Sequence, residues 1–157
     1  MSLFDAFDIA GSAMSAESLR LNVTASNLAN AQSVGGSEET TYRARHPVFS
    51  AVMQSLHGDS STYGVEVKEI VQSSAPFEQQ DQPDNPLANK DGYVFLPNVN
   101  MASEMANMIS ASRTYQSNVE VANTSKQLLM ETLRLGQSAG RRTGVNGHDR
   151  HTGRSST

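Results

Sequence analysis

The chain contains no cysteine and no tryptophan. Without cysteine there is no disulfide scaffold, no thiolate zinc site and no cysteine nucleophile. Aromatic residues are scarce at 6%, and charged residues reach only 18%, against roughly 25% in ordinary soluble domains. Long apolar runs are missing too. Nothing approaches the ~18 consecutive uncharged apolar residues of a membrane-crossing helix. The net charge of −4 and a pI near 5.5 deny the chain the basic footprint of a nucleic-acid binder. What fills the space is neutral and polar: 21 Ser, 11 Asn, 10 Thr and 9 Gln among 157 residues. That length allows one modest domain.

Charge divides the chain unevenly. Residues 1–137 carry −7, whereas residues 138–157 carry +3 from Arg141, Arg142, Arg150 and Arg154 against Asp149. The last stretch has four glycines and little that is apolar beyond Val145, so it reads as a flexible basic tail outside the core. A native extension, an engineered remnant and a contact arm all fit it. At the other end, Asp5 and Asp8 stand where a secretory signal needs positive charge, so no cleaved signal peptide is expected.

Residues 1–31 read as one helix. Leu3, Phe7, Ala10, Met14, Ser18, Leu21, Ala25 and Leu28 recur at steps of three and four, and all but Ser18 are apolar. That is one narrow seam over about four heptads. Asn30 and the Gly35–Gly36 pair supply the stop. Residues 98–137 repeat the design, with no Gly or Pro between Met101 and Leu135, roughly 50 Å of helix. Their seam runs Met101, Met105, Met108, Ser112, Tyr115, Val119, Ala122, Lys126, Leu129, Leu133. Asn98 or Asn100 is the expected N-cap and Gly136 the expected end. Such long helices with single narrow stripes need long partners, and their Ser, Asn and Thr content makes each weak alone.

Residues 32–97 break the helical period. Turn-forming clusters at Gly35–Thr41, His57–Gly64, Asp81–Asn89 and Asp91–Gly92 bracket short strand-like pieces. Thr41–Phe49 is one, demoted by Pro47 to an edge or irregular strand. Val65–Val71 and Tyr93–Leu96 are two more. The expected fold is therefore mainly α: long N- and C-terminal helices paired as a coiled-coil-like α-hairpin, with a small β-rich insertion between them.

Catalytic motifs do not emerge. His46, His57, His148 and His151 lie at no metal-binding spacing, and the tail pair reads as solvated. The carboxylate pairs Asp5/Asp8, Glu38/Glu39, Glu66/Glu69 and Asp81/Asp84 fall in a helix start or polar stretches and read as surface rather than acid–base machinery. Phosphate loops, dinucleotide fingerprints and nucleophile elbows are missing. No catalytic residue, cofactor, metal, nucleic acid or small-molecule substrate is expected.

A resemblance emerges at the end of the first helix. Leu21, Ser26, Asn27, Leu28, Ala29 and Asn30 spell L-x4-S-N-L-A-N, which resembles the signature of the bacterial flagellar rod, hook and hook-associated family. The aromatic–basic pair that follows it in many members is matched by Tyr42–Arg43, reached only after Gln32–Thr41. That longer spacing resembles the proximal-rod C-type branch. So do Asn85-Pro86-Leu87-Ala88-Asn89, Asp91-Gly92-Tyr93-Val94, Leu96-Pro97-Asn98-Val99-Asn100, Glu104-Met105, Ser110 to Asn118 and the ending Thr132 to Gln137. The likeness spans residues 1–137, and the basic tail extends past it.

The resemblance implies a structural subunit of the flagellar basal-body proximal rod. Subunits of that family build a helical drive-shaft tube across the periplasm, pairing their terminal helices along its inner wall. The tube joins the membrane ring to the distal rod and hook and transmits torque. Implied partners are copies of the chain, other proximal and distal rod proteins, proteins of the membrane-ring/rod junction, and the type III export apparatus. Export proceeds unfolded from the cytoplasm. Expected seam and interface residues are Phe7, Met14, Leu21, Leu28, Met101, Met105, Met108, Tyr115, Val119, Leu129 and Leu133, with Asn27 and Asn30 as caps or cross-subunit hydrogen-bond donors. The alternative is a soluble helical adaptor or secretion chaperone that binds a partner helix.

Overall fold

The computed structural model describes residues 3–56 and 60–143. In chain order the elements are α1 (Leu3–Asn30), β1 (Arg45–Leu56), β2 (Ser60–Gln72), β3 (Glu78–Asp81), β4 (Tyr93–Leu96) and α2 (Met101–Thr143). The protein is mainly helical, with two small antiparallel sheets inserted between two long helices.

The helices pair antiparallel. Asn27 near the end of α1 meets Glu104 near the start of α2, Arg20 reaches Asn107, and Leu3 and Phe7 share a cleft with Leu129. Asn100 caps α2: its side-chain oxygen accepts the Ser103 amide at 3.0 Å, and its carbonyl accepts the Glu104 amide at 3.0 Å. Gly136 does not end the helix, which continues through Gly140 to Thr143. An internal glycine weakens a helix by about 1 kcal/mol but stops it only where the chain turns left-handed. The tail expected from residue 138 thus begins as helix, and its remainder, 144–157, lies outside the described residues.

The contact stripe on α2 is centred on Glu104, Met108, Ala111, Asn118, Ala122, Ser125 and Leu129. Met108, Ala122 and Leu129 of one heptad set of the expected seam are shared, whereas Tyr115 of that set is exposed. In the other, burial shifts by one residue: Glu104 is buried where Met105 is exposed, Ala111 is buried beside a half-buried Ser112, and Ser125 is buried where Lys126 is exposed, while Asn118 and Val119 are both half-buried. Small side chains explain the shift, because interaxial distance follows the side chains at the contact. Ala10, Ala16, Ala111, Ala122 and Ser125 are buried, so the backbones draw together there, and Met101 and Met105 are left exposed.

α1 is covered on two sides, by α2 and by the β1–β2 hairpin. The hairpin is longer than the sequence pattern suggests, at 12 and 13 residues. Its register runs from Arg45↔Gln72 to Leu56↔Ser60, with a shift between Val48 and Phe49, just past Pro47, which has no amide to give the ladder. Ser60–Gly64 belongs to the strand rather than to a turn. The Ser12 hydroxyl accepts the Val65 amide at 3.2 Å, which ties the hairpin back along α1. β3, unforeseen in the pattern, pairs with β4, and Phe95 bridges to Gly35.

Candidate assembly interface

The L-x4-S-N-L-A-N end of α1 builds a buried junction. Asn27 is fully buried. Its amide nitrogen donates to the Arg45 carbonyl at 2.8 Å and to Glu104 Oε2 at 3.1 Å. Its oxygen accepts the Tyr42 hydroxyl at 2.9 Å and the Arg45 amide at 3.0 Å. One side chain thus satisfies both backbone groups at the start of β1, as a neighbouring strand would, while also holding α2. Ser26 shares a 3.2 Å hydrogen bond with Tyr42. Asn27 is therefore spent inside the chain rather than across subunits. Asn30 donates to the Ser26 carbonyl of its own last turn.

A second clamp comes from the start of α2. The Asn98 oxygen accepts the Ala44 amide at 2.8 Å, and its nitrogen donates to the Ala75 carbonyl at 2.7 Å. Arg43 donates to the Ser73 carbonyl at 3.0 Å and lies 4.2 Å from the centroid of the Phe77 ring. Asn98 is therefore not the helix cap; it holds together the segments on either side of the hairpin. Glu104 is only 4% exposed. A carboxylate in the first turn of a helix is favoured by the dipole, and its hydrogen bond from Asn27 offsets part of the cost of burial.

The Asn85–Gly92 block is a self-bonded loop. The Asn85 oxygen accepts the Leu87 amide, and the Asn89 oxygen accepts the amides of Asp91 and Tyr93. Gly92 has φ +83°, a backbone state that favours glycine. The loop packs against Gly36, where an added Cβ would lie 2.7 Å from the Leu87 carbonyl oxygen; this glycine serves close approach as well as turning. Pro97 is buried, whereas Ala29, Pro86 and Tyr93 are exposed.

The remaining seam residues divide by burial. Met14, Leu21, Leu28, Met108, Val119 and Leu129 are half-buried, while Phe7, Met101, Met105, Tyr115 and Leu133 are exposed. α2 also exposes Ile109, Val121, Leu128, Met130 and Leu135. Among the described residues no cluster of His, Asp and Glu is placed to hold a metal ion, and no helix is long and apolar enough to cross a membrane.

Comparison with known proteins puts names to both ends. Residues 7–35 match the family model described as flagella basal body rod protein, and residues 90–135 match the flagellar basal body rod FlgEFG protein C-terminal model. Across 137 residues the chain is 54% identical to the flagellar basal-body rod protein FlgC of Yersinia enterocolitica, covering 87% of this chain and all of that one. The chain belongs to the FlgC family of flagellar basal-body rod proteins. The FlgC of Salmonella typhimurium and that of Escherichia coli are each 50% identical over the same span. As a member, the chain is a structural subunit of the rod, in the flagellar basal body. The two family models fall on α1 and on β4 with α2, so the paired helices and their junction carry the shared part. Glu104 and Ser125, which are buried, and the half-buried Asn118 escape a hydrophobic pattern because they are polar. In the sequence Glu104 is visible only through the Glu104-Met105 block of the family resemblance and its place four residues after the capping Asn100.

Proposed function

We propose that the chain builds part of a helical drive-shaft tube that spans the periplasm, joins the membrane ring to the distal rod and hook, and transmits torque. The observation carrying this is the state of α2. It is 43 residues long, its partner α1 only 28, and its large apolar residues from Ile109 to Leu135 stay exposed along several faces. A domain that worked alone would cover such surface; a subunit that works in a polymer leaves it to its neighbours. Its partners on this reading are copies of itself, other proximal and distal rod proteins and proteins of the membrane-ring junction. It passes the flagellar type III export apparatus. The work is mechanical and involves no catalysis. Seam residues such as Leu28 and Tyr115 bear on assembly.

The test is complementation of a motile strain that lacks its own FlgC-family subunit. The unsubstituted chain is expected to restore swimming, whereas Leu28→Asp and Tyr115→Asp are expected to abolish it and leave basal bodies without a distal rod. Normal swimming by both variants would count against the assigned seam. A stable, cooperative monomer or dimer that never enters basal bodies would favour a soluble adaptor instead.

A further inference from the structure

The mouth of the β1–β2 hairpin holds a side chain where a ladder bond belongs. In a hydrogen-bonded antiparallel pair, each residue's amide donates to the other's carbonyl. Ser73 does donate to the Ala44 carbonyl, at 2.8 Å. The return bond runs through Asn98. The Ala44 amide donates to the Asn98 oxygen at 2.8 Å, and the Asn98 nitrogen donates on to the Ser73 carbonyl at 3.4 Å and to the Ala75 carbonyl at 2.7 Å. Asn98 lies between β4 and α2, so the inserted group comes from the far end of the chain. The two strands are already held to each other without it, by the Ser73–Ala44 bond and by Arg43, which donates to the Ser73 carbonyl. What Asn98 adds is a tie from the hairpin to the start of α2.

Further out the hairpin is held thinly. Among the hairpin residues whose burial is described, Gly64 alone is buried, with Ser50 and Val52 half-buried near it. The Ser12 hydroxyl adds one hydrogen bond, to the Val65 amide. A strand of 12 residues is about 40 Å long, so a rotation of about 10° at the root carries its far end through about 7 Å. Met53 and Tyr63, 58% and 60% exposed, ride on that lever.

We propose that Asn98 is a positioning residue: it sets the direction of the hairpin relative to α2, and rod assembly depends on that direction. The second clause rests on the rod-subunit reading. The inserted geometry separates direction from fold. Without the Asn98 side chain, the Ala44 amide and the Ser73 carbonyl face each other as an ordinary pair and close the rung directly. The backbone keeps its hydrogen bonds, while the hairpin loses its tie to α2 and pivots on the bonds from Asn27 to Arg45. Close-packed interfaces do not tolerate excursions of several ångströms, so such a chain folds but does not assemble.

The chain has no native cysteine, so introduced cysteines carry spin labels at defined places. Met53→Cys on the hairpin and Gln116→Cys on an exposed position of α2 report the hairpin-to-helix distance in the full chain by double electron–electron resonance. With Asn98 intact, one narrow distance is expected. Asn98→Ala is expected to widen the distribution at least about twofold, while the guanidinium midpoint and the far-UV helix signal change by less than about 10%. Asn98→Asp keeps the acceptor for Ala44 but sets a carboxylate against two carbonyls, and is expected to widen it as well. In the complementation strain, Asn98→Ala is expected to abolish swimming at normal levels of the chain.

An unchanged distribution in Asn98→Ala, or a broad one with Asn98 intact, overturns the positioning role. A midpoint that falls together with helix content assigns Asn98 to holding the fold and overturns it as well. Widened distances with normal swimming overturn the dependence of assembly on direction. Failure of the unsubstituted chain to restore swimming overturns the rod reading instead, because the distance measurement involves no flagellum.

Discussion

Replacing Asn27 by alanine removes four hydrogen bonds at a fully buried position. Three of them serve Tyr42 and the Arg45 backbone, which lie partly within reach of water, and each contributes about 1 kcal/mol net. The fourth serves Glu104, a buried carboxylate, where loss of a charge-assisted bond costs about 1.5–3 kcal/mol. Discounting for water that can enter the space left behind, Asn27→Ala is expected to destabilise by about 3–5 kcal/mol, a large fraction of the 5–15 kcal/mol typical of a folded domain. Asn27→Asp keeps the shape but sets a second carboxylate about 3.1 Å from Glu104 and should cost at least as much. Guanidinium unfolding of the full chain followed by far-UV circular dichroism measures both variants. Hydrogen exchange at the Arg45 amide reads the hairpin root directly. Combining Asn27→Asp with Glu104→Gln restores a donor opposite an acceptor and should recover at least about 1 kcal/mol of the Asn27→Asp loss. A loss under 1 kcal/mol for Asn27→Ala, or no recovery in the double variant, would refute the reasoning that this side chain couples hairpin and helices.

Other substitutions test the local arguments. A Cβ on Gly11 meets nothing within 4 Å, so Gly11→Ala should raise stability by about 0.5–1 kcal/mol in the same unfolding assay. Gly35 is the opposite case: a Cβ there would collide with the Thr41 hydroxyl and lie 3.0 Å from the Thr41 backbone. Gly35→Ala should therefore cost about 1–3 kcal/mol and expose the Phe95 amide, now donated to the Gly35 carbonyl at 2.8 Å, to hydrogen exchange. Asn100→Ala removes the cap on the Ser103 amide and should cost about 1 kcal/mol, seen as fraying of the first turn of α2 in exchange data.

Much of the architecture can be read from periodicity. Steps of three and four from Leu3 to Leu28 and from Met101 to Leu133 already require two long helices, and the turn clusters between them require something other than helix. β4 follows from Asp91–Gly92 and the Tyr93–Leu96 run that the observed strand matches. The hairpin was only half legible, because Ser60–Gly64 has turn-forming composition and becomes strand through its pairing with the second half of β1. Strand propensity is context more than intrinsic preference. Gly136 misled for the opposite reason: one glycine in a long run of helix formers costs too little to end it.

The absence of cysteine, the low charge and the two stripes are properties of the chain itself. Before any packing is known they exclude disulfide and thiolate chemistry, leave no run long and apolar enough for a membrane-crossing helix, and deny the chain the basic footprint of a nucleic-acid binder. The partner of each stripe is a different kind of fact. Hydrophobic pattern ranks residues by side-chain polarity, whereas two helices brought to close contact select for smallness and for matched hydrogen bonds. That is why Glu104, Asn118 and Ser125 lie in the contact while Met101, Met105 and Leu133 lie outside it. Asn27 makes the same point more sharply. Its four hydrogen bonds reach residues 15, 18 and 77 positions away, and a distance that long along the chain carries no pattern; only the folded backbone brings such groups to 2.8–3.1 Å of one another.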